Sequence, residues 1–361
     1  MTKLKIGLIS HIKYPIQEPF VGGLESFTHT LAKGLIARGH DVTVFASSES
    51  DPQINVQAIS PPTALDINEY YRPTYSINEY EIIPCIEYQA YSKLMLELRN
   101  AEFDVLHNNS LHHIVNTFSD ILPMPVVTTL HTPPFEWLAK SFEHPTKNNF
   151  CITISKYMHD IWSPIINNSI IMNGVDLSKF KYNPNTTKEN YAIWFGRITP
   201  EKGTIYAIKA AKQLGIKLKL IGAVYDQNYF HNEIEPELND DIQYLGHLSQ
   251  NDLNSYLNSA NLSICTPCWE EPYGLVAIES LASGTPVAAF NRGAIKEILN
   301  EKSGALAEPD DVDSLSIAIK EAAQLNSTDC RNRAEEIASL DKMIFKYEAA
   351  YQNAITKSKM L

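Results

Sequence analysis

KIGLI at 5–9, VGG at 21–23, then Leu24, Phe27, Leu31 and Leu35, then Gly39, and finally VTVFA at 42–46: this run of the chain decides its architecture. Ile6 to Ile9 form an apolar run of the length of a short buried strand. The four apolar residues after the glycines recur at steps of three and four, one face of a helix. Gly39 ends that helix, and a second strand follows. Strand, glycine loop, helix, strand is a βαβ unit, and it demands a parallel sheet. The same grammar returns further on. An apolar strand at 191–195 is followed by the loop GRITPEKG at 196–203, the stripe Ile205, Ile208, Ala211 and Leu214, then Gly215 and a strand at 217–221. The interval is far too long for a solenoid repeat, so two similar domains stand in tandem. The stretch 167–185 is rich in Asn, Pro and Gly, which places the junction near residue 170. The expected domains are a Rossmann-like one over 1–170 and a second over 171–340, with a terminal helix of about 340–361 packing back on the first. Within the second domain, strands are expected at 261–265 and 287–290 and helices around 253–257, 274–283, 312–324 and 334–355. The tyrosine-rich region 50–100 reads as irregular.

The composition fits two domains. The chain has 361 residues, 44% of them hydrophobic and 20% charged, enough to build real cores. With 30 Lys+Arg against 42 Asp+Glu the net charge is −12, which argues against general nucleic-acid binding or broad docking on an anionic membrane. No run reaches the ~18 apolar residues of a membrane span, and the apolar start is too short for a secretory signal. Transient membrane contact stays open. Five cysteines, at 85, 151, 265, 268 and 330, are an odd and sparse set, which suggests reduced thiols and a cytoplasmic protein.

Several residues could carry chemistry. No G-x-G-x-x-G follows the first strand, but Gly22 and Gly23 let backbone N–H groups approach an anion at a helix start, although a plain flexible turn fits equally well. Arg197 and Lys202 lie on the loop after the first strand of the second domain, where ligands bind in this architecture. Together they suit a diphosphate; Lys202 alone would read as a solvated loop residue. In TPCWEEPYGLVAIE at 266–279 a strand gives way to a helix near Gly274. The free amides of 274–276 can hold a phosphate. Glu271 precedes the helix and Glu279 lies five residues inside it, roughly 7–8 Å beyond those amides at 1.5 Å per residue. Carboxylates hydrogen-bond sugar hydroxyls well. The plainer alternative makes Glu271 a helix N-terminal charge and Glu279 a solvated residue, but Glu279 sits among Val276, Ile278 and Leu281.

These motifs resemble a known family. GGLE at 22–25, TLHTP at 129–133, ITIS at 152–155, NGVDLSKF at 173–180, GRITPEKG at 196–203, YLGHLS at 244–249, EPYGLVAIE at 271–279 and GTPVAA at 284–289 follow the order seen in retaining GT-B glycosyltransferases of family 4, the glycosyl transferases group 1. That resemblance implies an α/β fold of two Rossmann-like domains facing a cleft. It implies a hexose moved from a nucleotide sugar to an acceptor hydroxyl with retention. Gly22 and Gly23 would approach the donor diphosphate, and Arg197 and Lys202 would neutralise it. The amides of Gly274, Leu275 and Val276 would cap phosphate and sugar, Glu279 would hold the ribose, and Leu245, Gly246 and Tyr273 would complete the nucleotide site. Glu271 and His131 would contact the transferred sugar. No cofactor is expected beyond the donor substrate, and no metal. UDP is favoured because Ser249 stands where some guanine-nucleotide users of the family have Asp. The acceptor is a carbohydrate or small molecule whose recognition would lie in 50–100 and 135–150.

The chain departs from the family at Tyr273, where Phe is common, at Cys268, where Ser is common, and at Gly222-Ala223-Val224 in place of Gly-x-Gly. Competing readings have weaker support. Cys265-Thr266-Pro267-Cys268 has the spacing of a redox pair but lies deep in the chain, and no second pair supports zinc. Asp311-Val312-Asp313 has the D-x-D form of a metal-diphosphate site but follows Pro309 and opens a helix, where capping is the expected role. A GT-B-fold nucleotide-sugar epimerase and a non-catalytic sugar-nucleotide-binding protein are the functional alternatives.

Overall fold

The structure, a computed structural model, describes residues 2–60, 79–144 and 146–360. The chain divides into two compact units. Unit 1 is Met1–Ile154, Met158–Ile171 and Ile344–Leu361; unit 2 is Ser155–Tyr157 and Met172–Met343.

Unit 1 is built on β1 (Lys5–Ile9), β2 (Asp41–Ser47), β3 (Val56–Ser60), β4 (Val105–Asn108), β5 (Val126–Leu130), β6 (Asn149–Thr153) and β7 (Asn168–Ile170), paired in the order β3-β2-β1-β4-β5-β6-β7. Every pairing is parallel. Such a sheet is covered on both faces by its crossover helices, so its inner strands are apolar on both sides; Ile6, Leu8, Ile9, Val105, Leu106, Val126 and Val127 are fully buried. Helix Gly23–Ala37 buries Phe27, Leu31 and Leu35, as its spacing predicts. From Ile344 on, the last helix of the chain, Leu340–Ser358, belongs to this unit. Its Tyr351 and Tyr347 hydroxyls bond the buried His107 and Thr129 at 2.6 and 3.1 Å.

Unit 2 repeats the plan with β8 (Glu189–Phe195), β9 (Lys217–Ile221), β10 (Ile242–Tyr244), β11 (Ala260–Cys265), β12 (Val287–Phe290) and β13 (Gly304–Ala307), in the order β10-β9-β8-β11-β12-β13 and again parallel. In each sheet the strand order reverses once, between β1 and β4 in unit 1 and between β8 and β11 in unit 2. The loops leaving those two strands diverge, and the gap at their carboxyl ends is where ligands bind in open α/β sheets.

Two expectations are corrected. The region 50–100 is not irregular throughout: it contains β3 and the helix Glu79–Leu98, while 61–78 lie outside the described residues. Tyr91, Leu94, Met95 and Leu98 are buried at helical spacing, a stripe masked in sequence by the tyrosines around it and by Pro84, which stands inside the helix. The helix expected over 334–355 is two helices, Ser327–Ile337 and Leu340–Ser358. Ala338 leaves helical geometry with φ −130° and ψ 31°. Its carbonyl accepts from the Val175 amide at 2.8 Å instead.

Candidate active site

The loops at the switch point of unit 2 carry most of the expected residues and are laced to one another. Trp194, near the end of β8, donates its indole N–H to Thr266 Oγ1 at 3.0 Å, and that hydroxyl donates to the Gly203 carbonyl at 2.9 Å. The Cys268 amide donates to the Glu201 carbonyl at 2.8 Å. Gly203 is at φ +65°, and a Cβ there would stand 2.0 Å from the Thr266 oxygen, so only glycine lets the two loops close. Closure brings Lys202 to Glu271: Nζ lies 2.7 Å from Oε2, which also accepts from Trp269 Nε1 at 2.9 Å. The ammonium sits 5.0 Å from the centre of the Trp269 ring. The Lys202–Glu271 pair spans 69 positions, and no local spacing in the sequence announces it.

Arg197 stands apart from that pair. It is half-buried, lies 5.3 Å over the Tyr225 ring, and has no carboxylate against it among the described residues. Beyond it the turns after β9 and β10 meet. Gly222 at φ +149° donates to the Gly246 carbonyl at 2.9 Å, and a Cβ on it would collide with the Gly196 oxygen at 1.8 Å. The departure Gly222-Ala223-Val224 therefore keeps the one glycine that the close approach requires. Leu245 and Gly246, at φ +83°, form the rim of this turn, and the Leu245 amide donates to the Leu220 carbonyl. Ser249 caps the helix Gln250–Ser259: its hydroxyl accepts from the Asp252 amide and donates to the Asp252 carboxylate at 2.7 Å.

Helix Leu275–Ala282 opens at Gly274, the N-cap at φ +99° with no side-chain cap. The first amides of the helix, Leu275 and Val276 among them, point outward without an intrahelical acceptor. Tyr273 is buried and donates its hydroxyl to the Asn173 carbonyl at 2.6 Å, which explains how Tyr is accommodated at a Phe position. Glu279, one turn into the helix, has no ion-pair or hydrogen-bond partner for its carboxyl among the described residues, and burial alone pushes its pKa up to about 8. As a residue Glu279 is half-buried, while its carboxyl is enclosed.

Residues that sequence reasoning passed over hold this arrangement in place. Gly293, at φ +57° after β12, would place a Cβ 2.2 Å from the Glu271 oxygen. Its amide donates to Glu270 Oε2 at 2.8 Å, and the Ala294 amide donates to the Glu271 carbonyl at 2.8 Å. Arg292 pairs with Asp310 and lies 3.8 Å from Glu270. The available signal was position: Asn291-Arg292-Gly293 follows the carboxyl end of a central strand.

In unit 1, Gly22 is the N-cap of helix Gly23–Ala37, extended at φ −155° and with no side-chain cap. Glu25, in the first turn, is buried with Oε1 3.1 Å from His11 Nε2. His131 follows β5 directly, is buried, and meets Phe27 edge-on at 4.6 Å. Its Nε2 lies 2.8 Å from Asn109 Oδ1, so Nε2 carries the proton and Nδ1 is left as an acceptor. Burial pushes this imidazole down to about 3, so it acts as a neutral group.

The competing motifs take structural roles. Cys265 and Cys268 are both free, and burial pushes their thiols up to about 12 and about 11, away from a reactive thiolate. Asp311 is the N-cap of helix Val312–Ala322, accepting from the Ser314 amide at 3.0 Å, and Asp313 accepts from Gln213. Among the described residues, no three His, Cys, Asp or Glu side chains come together as a metal-holding group, and no helix is long and apolar enough to cross a membrane.

Comparison with known proteins bears on both units. The model of Glycosyltransferase Family 4 matches residues 21–179, and that of Glycosyl transferases group 1 matches residues 176–339. A glycogen synthase of Mycobacterium tuberculosis is 25% identical over 346 residues, covering 83% of this chain and 82% of that protein. Among solved structures, sucrose-phosphate synthase from Thermosynechococcus elongatus has a TM-score of 0.79 at 18% identity, covering 98% of this chain and all of that one. Anabaena HepE in complex with UDP-glucose has a TM-score of 0.75 at 16% identity, covering 97% of this chain and 100% of that one. Two parallel-sheet units with these likenesses make a GT-B fold, and with consecutive models spanning 21–339 the chain belongs to the family 4, group 1 glycosyltransferases, a family of transferase enzymes.

Proposed function

We propose that this enzyme moves a hexose from a nucleotide sugar, with UDP as the favoured nucleotide, to an acceptor hydroxyl with retention and without a divalent metal. The observation that carries the reading is the laced switch point of unit 2. It presents Arg197 and the Lys202–Glu271 pair on adjoining loops, with a helix start at Gly274 and the unpartnered Glu279 one turn into that helix. Arg197 and Lys202 supply the positive charge that a departing diphosphate needs. The amides of Gly274, Leu275 and Val276 add the helix N-terminal dipole. Glu279 is assigned to the ribose hydroxyls and Leu245 and Gly246 to the nucleotide, while Tyr273, its side chain buried against Asn173, can serve that site only through its backbone. Glu271 meets the transferred sugar, oriented by Lys202 and Trp269. In unit 1, Gly22 and Gly23 are assigned to the diphosphate, and His131 to a sugar hydroxyl that donates to its Nδ1.

In the reaction the C1–O bond to the diphosphate breaks while a C1–O bond to the acceptor forms on the same face. The acceptor proton passes to the leaving phosphate oxygen. A donor screen reading UDP or GDP release with mixed glycan acceptors tests the reading directly. Release that rises with an acceptor supports transfer; turnover of a donor to its epimer without acceptor overturns it. Activity should survive excess EDTA within about twofold, since two fixed cations stand in for the metal; loss restored by Mn²⁺ would overturn metal independence. Glu279 adds a calorimetric signature. Because its pKa is about 8, binding of UDP to the carboxylate form near pH 7 should release part of a proton. The observed enthalpy should then depend on buffer ionisation in the wild type and not in Glu279→Gln.

A further inference from the structure

The switch point of unit 1 carries a ladder of rings to which the proposed donor site assigns no part. Trp137, in the helix Glu136–Lys140 that follows β5, is 65% exposed, the most open large aromatic among the described residues. Its ring meets His113 edge-on at 5.6 Å between centroids, His113 stacks on His112 at 4.5 Å, and His112 lies on Tyr91 at 4.6 Å. The inner end is fixed. Tyr91 is fully buried and donates its hydroxyl at 2.9 Å to the Ser10 carbonyl, just beyond β1. His112 is anchored after β4, its amide donating to Ser110 Oγ at 3.1 Å. The ladder thus starts between the diverging loops of β1 and β4 and runs out to solvent at Trp137. Burial lowers both imidazoles, His112 to about 4, so the rings present neutral N–H and N groups near pH 7. The neighbouring cations are matched: Lys13 lies 4.0 Å from Glu87, and Lys140, three residues after Trp137, holds Glu143 at 2.6 Å.

We propose that this ladder is an acceptor subsite for an uncharged pyranose ring, with Trp137 covering the C–H face of the sugar and His113 meeting its hydroxyls, and that it disfavours phosphorylated sugars. A pyranose has an apolar face of C–H bonds and a rim of hydroxyls. An exposed indole backed by imidazoles offers the matching surface. A phosphate wants a cation with charge to spare: beside Lys202, which Glu271 offsets, Arg197 has no carboxylate against it among the described residues, whereas Lys13 and Lys140 each have one close by. The proposal rests on the reading of the chain as a sugar transferase, and concerns only unit 1.

The test is saturation-transfer NMR on the full chain without donor, using the methyl glycosides of glucose, mannose, galactose and N-acetylglucosamine and their 6-phosphates as probes. At least one neutral glycoside should receive saturation mainly on its ring C–H protons. The signal should fall about fivefold in Trp137→Ala and stay within about twofold in Trp137→Phe, with the matching 6-phosphate bound about fivefold more weakly. Binding unchanged in Trp137→Ala, a 6-phosphate bound as well as its neutral parent, or no glycoside of the panel engaged would each overturn the proposal. UDP and GDP are titrated into the same samples. A wild-type protein that binds glycosides through Trp137 but neither nucleotide would overturn the nucleotide-sugar reading while leaving this subsite standing.

Discussion

Glu271 Oε2 receives both the Lys202 ammonium and the Trp269 indole N–H, so one carboxylate oxygen fixes two side chains from two different loops. Removing either partner of such a pair strands the other, and the two losses overlap. Lys202→Ala should cost donor turnover the equivalent of about 1.5–3 kcal/mol, one charge-assisted contact. Glu271→Ala should lower kcat by about 10². The double variant should fall short of the product of the two by about 1–3 kcal/mol in kcat/KM. Strict multiplicativity would show that the pair is not formed in the working enzyme. Arg197 and Lys202 were expected because their loop follows a recognisable strand, and His131, Glu271 and Glu279 because their motifs resemble the family's. The pairing of Lys202 with Glu271 was not, because it joins residues on two different strand-end loops. Tyr273 is a milder case: Tyr273→Phe removes a buried hydroxyl whose acceptor is the Asn173 carbonyl, and should cost about 1 kcal/mol in urea unfolding with turnover near wild type.

At the scale of elements, local periodicity found the helices with clean stripes and missed those without. Helix Gly23–Ala37 has its apolar residues at steps of three and four, and the strands around it are short apolar runs between glycines. Helix Glu79–Leu98 hides its stripe, and residues 338–339 look helical until the Val175 amide claims the Ala338 carbonyl. Glycines show the same division. Gly203 and Gly215 both have φ near +65° and both border the helix Thr204–Leu214. A Cβ on Gly215 meets nothing within 4 Å, whereas one on Gly203 meets the Thr266 backbone oxygen at 2.0 Å. Gly215→Ala should therefore cost only the left-handed backbone term, about 1–2 kcal/mol. Gly203→Ala should cost more than that and separate the two switch-point loops. Thermal unfolding ranks the two variants, and donor turnover should fall far more in Gly203→Ala. Equal effects would mean that closure of the two loops at Gly203 does not constrain the enzyme.

Across the whole molecule the two units should respond to pH in opposite senses. In unit 1 burial pushes His107 and His131 down to about 3 and His112 to about 4. A folded pKa below the unfolded value of about 6.5 gives stability that is complete above that pH and is lost as pH falls, at about 2 kcal/mol per buried histidine by pH 5. In unit 2 burial raises Glu279 from 4.5 to about 8. Its contribution is complete below the unfolded pKa and disappears as pH climbs through 8, roughly 2–4 kcal/mol by pH 9. Hydrogen exchange, corrected for intrinsic rates, separates the two. Amides of β4 and β5 should lose protection between pH 7 and pH 5. Those of β11 and the helix Leu275–Ala282 should lose it between pH 5 and pH 9. Glu279→Gln should abolish the alkaline loss and leave the acid loss untouched, and saturating UDP should reduce the alkaline loss in the wild type, because a bound ribose gives the carboxylate the partners it lacks. Alkaline loss that persists in Glu279→Gln would assign the effect to another group and remove the main physical support for placing the ribose there.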